Sequence, residues 1–195
     1  MARKISSLIE NGFHTKGIMP VNTHLSDAER HILDTCFTKR PVKRNQTVIT
    51  DYSDKSIYFV EEGILAHYLI HERKYITFRF TRKGEFTRVT PFSPLVPTHH
   101  IQALYPGTVW KADIEQLTDA TLQQAQLTQV LLRIVSTEIS SITSQLLSFL
   151  EYTPQERYLQ LMEEHSVLLQ EVPLKHLASY IGITPQSLSR LRGRI

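Results

Sequence analysis

No glycine or proline interrupts residues 117–150, so this part of the chain is free to form one long helix. About 33 residues at a rise of 1.5 Å would form a rod about 50 Å long. Apolar residues recur along it in steps of 4, 4, 4, 3, 4 and 3, as in a coiled-coil seam: Leu127, Leu131, Val135, Ile139, Ile142, Leu146 and Phe149. A core helix inside its own domain is the alternative. The opposite face, with Gln124 and Ser140, is polar, so we favour the seam of a homodimer.

The residues before this rod predict an N-terminal helix followed by a β-structure. Ser26 and Glu29 form a capping-box pattern ahead of an apolar helical face. Short strands separated by turns follow in residues 56–86, and residues 75–80 alternate with the period of two of a half-buried strand. Strand signals return at residues 101–104 and 109–111. Regularly spaced antiparallel strands favour a barrel or jelly roll.

A new helix is predicted to begin after the rod, because Thr153 can cap it, Pro154 fits its first position and Glu156 completes a capping box. We therefore divide the chain into an N-terminal β-domain with helices (1–112), a long helix (113–150) and a C-terminal domain (151–195).

The last 22 residues fit a helix-turn-helix. Ala178 is small where a second helix must cross closely, and Gly182 can adopt the left-handed conformation of a tight turn. Thr184 can cap the second helix, whose Leu188 faces back to Leu177 in the first. Any one of these features alone is typical of an ordinary core helix. Their combination indicates a helix-turn-helix.

Charge is segregated along the chain, although the net charge is only +3. Residues 113–150 hold one basic and four acidic residues, whereas residues 172–195 hold four basic residues and no acid. A merely solvated face normally mixes both signs of charge, which this segment does not. The alternative to a functional basic surface is that the terminal arginines only complement the helix dipole. We interpret this end as binding double-stranded DNA through Lys175, Thr184, Gln186, Ser187, Ser189, Arg190, Arg192 and Arg194.

The order of helix, β-domain, helical seam and helix-turn-helix resembles the Crp/Fnr transcription regulators, the relatives of the cyclic-AMP receptor protein. The resemblance rests on Ile57-Tyr58-Phe59-Val60-Glu61-Glu62-Gly63, Gly84-Glu85-Phe86 and Ile183-Thr184-Pro185-Gln186-Ser187-Leu188-Ser189-Arg190. The C-terminal part is most similar to short family members of Bacteroidetes. The resemblance implies an α+β protein with a double-stranded β-roll of the cyclic-nucleotide-binding type, a homodimer on an inverted-repeat operator, and RNA polymerase as a further partner. Since the chain ends directly after the second helix, we expect no full wing.

The loop of residues 87–100 departs from the family's cyclic-nucleotide binders, in which a glutamate holds the ribose and an Arg-Ser pair holds the phosphate. The matching positions read Arg88-Val89-Thr90 and Pro97-Thr98. Loss of a guanidinium on a buried phosphate costs on the order of 2–5 kcal/mol. We therefore predict a degenerate pocket that does not bind cyclic AMP, at Gly84, Glu85, Phe86, Arg88, Val89, Thr98 and His99. The alternative is a sensor whose β-roll binds another small-molecule effector that switches DNA binding.

Other function classes find little support in the sequence. Cys36 is the single cysteine, which excludes an internal disulfide or a multi-cysteine metal site and favours a reducing, cytoplasmic location. His67, His71, His99 and His100 would suit a metal-dependent barrel enzyme, yet His67 and His71 would lie about 13 Å apart along a strand. With no nucleophile elbow, phosphate loop or long apolar run, we predict no catalytic residues, metal, cofactor, leader or membrane span.

Overall fold

Two four-stranded antiparallel sheets form the β-roll in the computed structural model, which describes residues 4–12, 25–49, 54–88, 99–122 and 124–194. The first sheet has the order β1-β8-β3-β6 and the second β2-β7-β4-β5. The strands are β1 (Thr38–Val42), β2 (Thr47–Ile49), β3 (Ser56–Glu62), β4 (Ile64–His71), β5 (Lys74–Arg82), β6 (Phe86–Arg88), β7 (His99–Ala103) and β8 (Gly107–Asp113).

Helices lie on both sides of the roll. Capping boxes begin two of them: Ser26 with Glu29 at α2, and Thr153 with Glu156 at α5. The helices are α1 (Ile5–Gly12), α2 (Asp27–Cys36), α3 (Ile114–Thr121), α4 (Ala125–Glu151), α5 (Pro154–Glu171), α6 (Leu174–Tyr180) and α7 (Pro185–Arg192). None of the helices in the described ranges combines the length and hydropathy needed to span a bilayer.

The first sheet has two apolar faces because its strands alternate. Ile57 and Phe59 point outward and pack under α1 to α4. Tyr58 and Val60, one residue along, point into the roll and meet Leu65 of the opposite sheet. The roll is therefore a sandwich whose first sheet is covered by helices.

The second sheet is also covered on both faces. Leu65 faces the roll interior, whereas Ile64, Ala66 and Phe80 pack against α5, α6 and α7. A register irregularity between His67 and Tyr68 marks where β4 and β5 change their alignment. The C-terminal helices thus share one hydrophobic core with the outer face of this sheet.

The long helix is shorter than the sequence pattern predicts. The backbone leaves the helical conformation at Gln124 (φ −119°, ψ 98°), so α3 and α4 are separate helices. Placing Leu127 in a dimer seam was wrong, because this side chain is 1% exposed in the core under the first sheet. Leu131 packs partly against the same core. The remaining predicted seam residues, from Val135 onward, are exposed.

The predicted strands of residues 56–86, 101–104 and 109–111 are present with small shifts of their ends. Two strands were missed: β1, which contains Pro41, and the three-residue β2. Part of the loop of residues 87–100, including Val89 and Thr98, lies outside the described residues.

Candidate functional site

Helices α6 and α7 form the predicted helix-turn-helix, called the reader below. The turn is closed by the amide of Ile183, which donates to the carbonyl of Ala178 at 2.9 Å. Gly182 has a φ of +80°, and a Cβ there would lie 2.6 Å from the ring of Phe149. Both the left-handed backbone and the close ring require glycine at this position.

Helix α7 begins at Thr184, whose side chain accepts a hydrogen bond from the amide of Ser187. The Thr184 hydroxyl also donates to the Ser187 hydroxyl at 3.0 Å. Leu188 is fully buried against α6. The hydroxyls of Thr184 and Ser187 therefore serve the helix start, and Leu188 fixes which face of α7 points outward.

The outward face of α7 carries Gln186, Ser189 and Arg190 at spacings of three and four, so these exposed side chains share one face. Arg194 is exposed beyond the helix end. Two other predicted DNA contacts also have partners within the chain: Lys175 lies 4.4 Å from the ring centre of Tyr75, and Arg192 donates to the carbonyl of Leu169 at 3.1 Å.

Arg157 joins the reader to the long helix, a role that the sequence analysis missed. Its guanidinium donates to the carbonyls of Ser148 and Tyr152 at the end of α4 and to that of Ile181 at the end of α6. It also lies 4.5 Å from the ring centre of Phe149. One side chain thus caps the C-terminal ends of two helices and sets the angle between them.

The reader docks on β5, the edge strand of the second sheet. The Ser179 hydroxyl accepts from the amide of Thr77 at 2.8 Å and donates to the carbonyl of Tyr75 at 2.7 Å. The Thr77 hydroxyl lies 2.9 Å from Nδ1 of buried His176. Two residues of α6 therefore hold the reader against this strand by specific hydrogen bonds.

A buried polar cluster lies in the roll interior between β4, β5, β6 and β7. Nδ1 of His67 lies 3.1 Å from Nε2 of His99. Its Nε2 lies 2.8 Å from the Thr81 hydroxyl and 3.2 Å from that of Thr87. Two histidines of different strands thus meet, as the metal hypothesis required, but their ring nitrogens form a hydrogen bond with each other.

Arg79 links this cluster to α4 by a buried ion pair. Its guanidinium donates to Glu138 at 2.7 Å and to the carbonyl of Phe86 at 3.1 Å, and both charged side chains are about nine-tenths buried. Removing one partner of such a pair typically lowers the free energy of unfolding by about 3–5 kcal/mol, because the other charge stays buried without a partner. The pair fastens α4 across the open side of the roll, between the edge strands β5 and β6.

Five of the seven predicted effector-pocket residues are described by the structure, and these five do not line one common site. Gly84 forms the turn before β6, and Glu85 pairs with Arg82 in that turn at 2.6 Å. Phe86 packs outward in the core under α1 to α4, so its assignment to the pocket was wrong. Arg88, two residues on, shares that side of β6 by alternation. Of the described candidates, His99 is the residue that lies in the polar cluster.

Burial holds the histidines of the cluster and of the docking contact in their neutral form. Desolvation lowers the pKa of His67 well below its ordinary value and lowers that of His99 to about 4, and the Arg79 charge adds to both shifts. Burial next to Lys175 likewise lowers the pKa of His176 to about 4.

In the described ranges, no group of three or more histidine, cysteine, aspartate or glutamate side chains is arranged to hold a metal ion. His71 is exposed at the end of β4, and the His100 ring stacks on Tyr68 with centroids 5.2 Å apart. The four histidines of the metal hypothesis therefore do not converge.

Similarity to known proteins spans both the roll and the reader. No family model matches the chain. The fumarate and nitrate reduction regulatory protein of Salmonella typhi is 25% identical over 191 residues, which cover 89% of this chain and 74% of that protein. In sequence, this chain is similar to Crp/Fnr-type transcription regulators.

Solved structures support the same fold for the Crp/Fnr-like regulator. FixK2 of Bradyrhizobium japonicum matches with a TM-score of 0.69 at 15% identity, over 81% of this chain and 83% of that one. A protein of Eubacterium rectale described as a transcriptional regulator of the Crp/Fnr family matches with a TM-score of 0.68 at 14% identity, over 90% and 86%. The predicted resemblance to Crp/Fnr regulators is confirmed, and so is the predicted β-roll followed by C-terminal helices.

The buried histidines predict that the regulator loses stability between pH 7 and 5. Their folded-state pKa values lie below the value of about 6.5 in the unfolded chain. Stability is therefore complete above pH 6.5 and falls toward pH 4, because only the unfolded chain then takes up the protons. We expect a loss of roughly 2 kcal/mol for each such histidine between pH 7 and 5, measured by urea unfolding.

His176→Gln removes one of these groups and should make that pH dependence shallower, whatever its effect at pH 7. His31→Gln, at an exposed position on α2, is the matched control and should leave the dependence unchanged. Equal stability of the wild type at pH 7 and pH 5 would contradict the assignment.

Proposed function

We propose that this regulator binds an inverted-repeat DNA operator as a homodimer, with α7 of each protomer in the major groove. The exposed face of α7 with Gln186, Ser189 and Arg190 is the observation that carries the proposal. Amide, hydroxyl and guanidinium groups are those that read base edges, and the acid-free sequence from residue 172 onward suits a polyanion.

The roles of the reader side chains follow from chemistry and position. Gln186 can pair with adenine and Arg190 with guanine, each worth about 1–3 kcal/mol of discrimination. Lys175, Arg192 and Arg194 are assigned to phosphates. Arg192 uses one N–H for the Leu169 carbonyl and also lies 5.9 Å from the ring centre of Tyr158. It therefore combines a packing role with a phosphate contact made through its other N–H groups.

The apolar exposed face of α4 supports the homodimer. Leu132, Ile139 and Leu146 are 62%, 59% and 59% exposed. Together with residues between them they form a stripe in steps of three and four, the spacing of a two-helix seam: Leu132, Val135, Ile139, Ile142, Leu146 and Phe149. A second copy of the same stripe would cover it with two-fold symmetry and place two copies of α7 about one DNA turn, or about 10 bp, apart.

The paired polar groups inside the roll support a pocket that does not take cyclic AMP. The Arg79 guanidinium is neutralised by Glu138, and the His67–His99 pair occupies the space between the sheets. A cyclic nucleotide would have to separate these buried partners before its own phosphate was paired. The alternative, an effector of other chemistry that switches DNA binding, is not favoured.

The assignment of base and phosphate roles predicts that replacing two arginines changes DNA binding in different ways. Arg190→Ala should relax the preference at one base pair of each half-site. Arg194→Ala should weaken all duplexes alike and reduce the slope of log K against log salt by about 0.9 for each phosphate lost. The operator is first selected from randomised duplexes, and its affinity is then measured by fluorescence anisotropy across salt concentrations. Equal losses on operator and scrambled DNA for both variants would refute the division of roles.

The seam predicts that a single charge prevents dimerisation. Ile139→Glu places a carboxylate in the centre of the apolar stripe and should weaken the dimer at least about tenfold, as seen by sedimentation, with parallel loss of operator affinity. Ser141→Glu, an exposed position on the opposite side of α4, adds the same charge outside the stripe. Dimers of unchanged strength in Ile139→Glu would contradict the seam.

The paired groups inside the roll predict that cyclic AMP, up to about 1 mM, neither raises the melting temperature nor changes operator affinity. Linkage would give a stabilisation of several degrees if the site bound at concentrations about 100-fold above its Kd. A known cyclic-AMP receptor protein serves as the positive control. A dose-dependent shift would overturn the degenerate pocket.

A further inference from the structure

A small cavity lies between the first sheet and the helices that cover it, outside both the reader and the roll interior. We call it the helix cavity. Each of α1 to α4 and strand β6 supplies apolar lining to it: Ile9, Leu33, Leu117, Ile134 and Phe86. Nine of its ten lining side chains are apolar, and the tenth, Thr121, donates its hydroxyl to the carbonyl of Thr118 at 3.0 Å.

The helix cavity is too apolar to hold water firmly. Its volume, measured for the centre of a water-sized sphere, is about 10 Å³, which is the space of about one water molecule. A buried water needs two to four polar partners, and Thr121 is the sole polar side chain of the lining. Apolar atoms that enter would gain the contacts that an empty void leaves unmade.

The cavity opens toward the exposed side of α4. Leu131 is half-buried, whereas the other nine lining residues are buried, so the mouth lies beside Leu131. Its neighbour Leu132 is 62% exposed, and Val135, one turn further on the same side, is 45% exposed. Both belong to the apolar stripe of the proposed dimer. A second copy on that stripe would therefore cover the mouth.

We propose that the helix cavity binds a slim, uncharged apolar molecule such as a short unbranched alkyl chain, and that the dimer closes over it. The inference rests on the proposed homodimer. A methylene group is about the size of a water molecule, so a chain fits where an aromatic ring would force the helices apart. A charged or hydroxylated end has no partner inside and must stay at the mouth.

Ligand and dimer then stabilise each other. Leu127, Val130 and Ile134 line the cavity on one side of α4, and the stripe lies on its other side, so one helix carries both surfaces. By linkage, a chain that binds the closed dimer more tightly strengthens the dimer by the same factor.

The binding experiment uses 1-hexanol as the probe and 1,6-hexanediol as the matched control, since the diol must bury a hydroxyl if it enters. Isoleucine methyl signals are followed by NMR in protein labelled at these methyls. We expect saturable shifts of Ile9 and Ile134 with 1-hexanol, much weaker ones with the diol, and none at Ile64, which packs under the reader.

Val130→Ile adds one methylene to the lining and should weaken 1-hexanol binding at least about tenfold, because it fills the space. Val48→Ile makes the same change on β2, in the other sheet, and should bind like the wild type. Ile134→Val removes one methylene from the lining and should bind more tightly. Melting temperatures verify that each variant folds.

The dimer experiment measures the dissociation constant of the dimer by sedimentation. Saturating 1-hexanol should tighten the wild-type dimer about threefold or more and leave Val130→Ile unchanged. The seam variant Ile139→Glu should bind 1-hexanol more weakly than the wild type, because its mouth stays open.

Three results would overturn the inference: Ile9 and Ile134 signals that 1-hexanol does not move, equal shifts with the diol, or shifts that Val130→Ile retains. Methyl shifts without any change in dimer strength would overturn the closure by the dimer. A wild type that is monomeric with and without 1-hexanol would refute the proposed homodimer itself, and the methyl shifts of the same sample would still decide whether the cavity takes the chain.

Discussion

The β4–β5 hairpin is the part of the chain on which both functional regions depend, because its residues 64–68 and 77–81, away from the exposed tip, are mostly buried on both faces. Leu65 and His67 face the roll interior, while Ile64 and Phe80 form the floor on which the reader rests. Antiparallel sheets commonly leave one face in water, whereas this part of the hairpin contacts protein on both faces and so connects the roll interior with the reader. Any shift of these strands moves the polar cluster and the reader at once.

Two arginines make the long helix a mechanical link between these regions. Near the middle of α4, Glu138 is bound to Arg79 of the roll, and at its end Ser148 is bound to Arg157 of α5. The first contact is an ion pair in a dry interior, where a lost partner is costly. The second is a set of carbonyl contacts at helix ends. The seam residues of α4 lie along this path, so the proposed dimer axis and both contacts share a single rigid element.

Local signals explain what the sequence could predict. Capping boxes, the left-handed Gly182 and the apolar positions of the reader each act within a few residues, and the structure has them where the pattern places them. The pairing of Arg79 with Glu138 spans 59 positions and has no local signature. Leu127 was misassigned because core helices and dimer seams share the same apolar spacing. Which residues of α4 are buried depends on how far the roll extends along the helix, and the sequence pattern does not contain that distance. Strand β1 was missed because Pro41 is typical of edge positions and breaks the strand pattern.

The hydrogen bonds of Ser179 also cover part of the exposed edge of the second sheet. An edge strand exposes unpaired amides and carbonyls, which recruit other chains and start aggregation. On β5 the Ser179 side chain occupies one such pair, the amide of Thr77 and the carbonyl of Tyr75, as a neighbouring strand would. The reader therefore also protects the β5 edge of the second sheet, and resistance of the chain to aggregation depends on α6, the helix that precedes the proposed DNA-contacting helix.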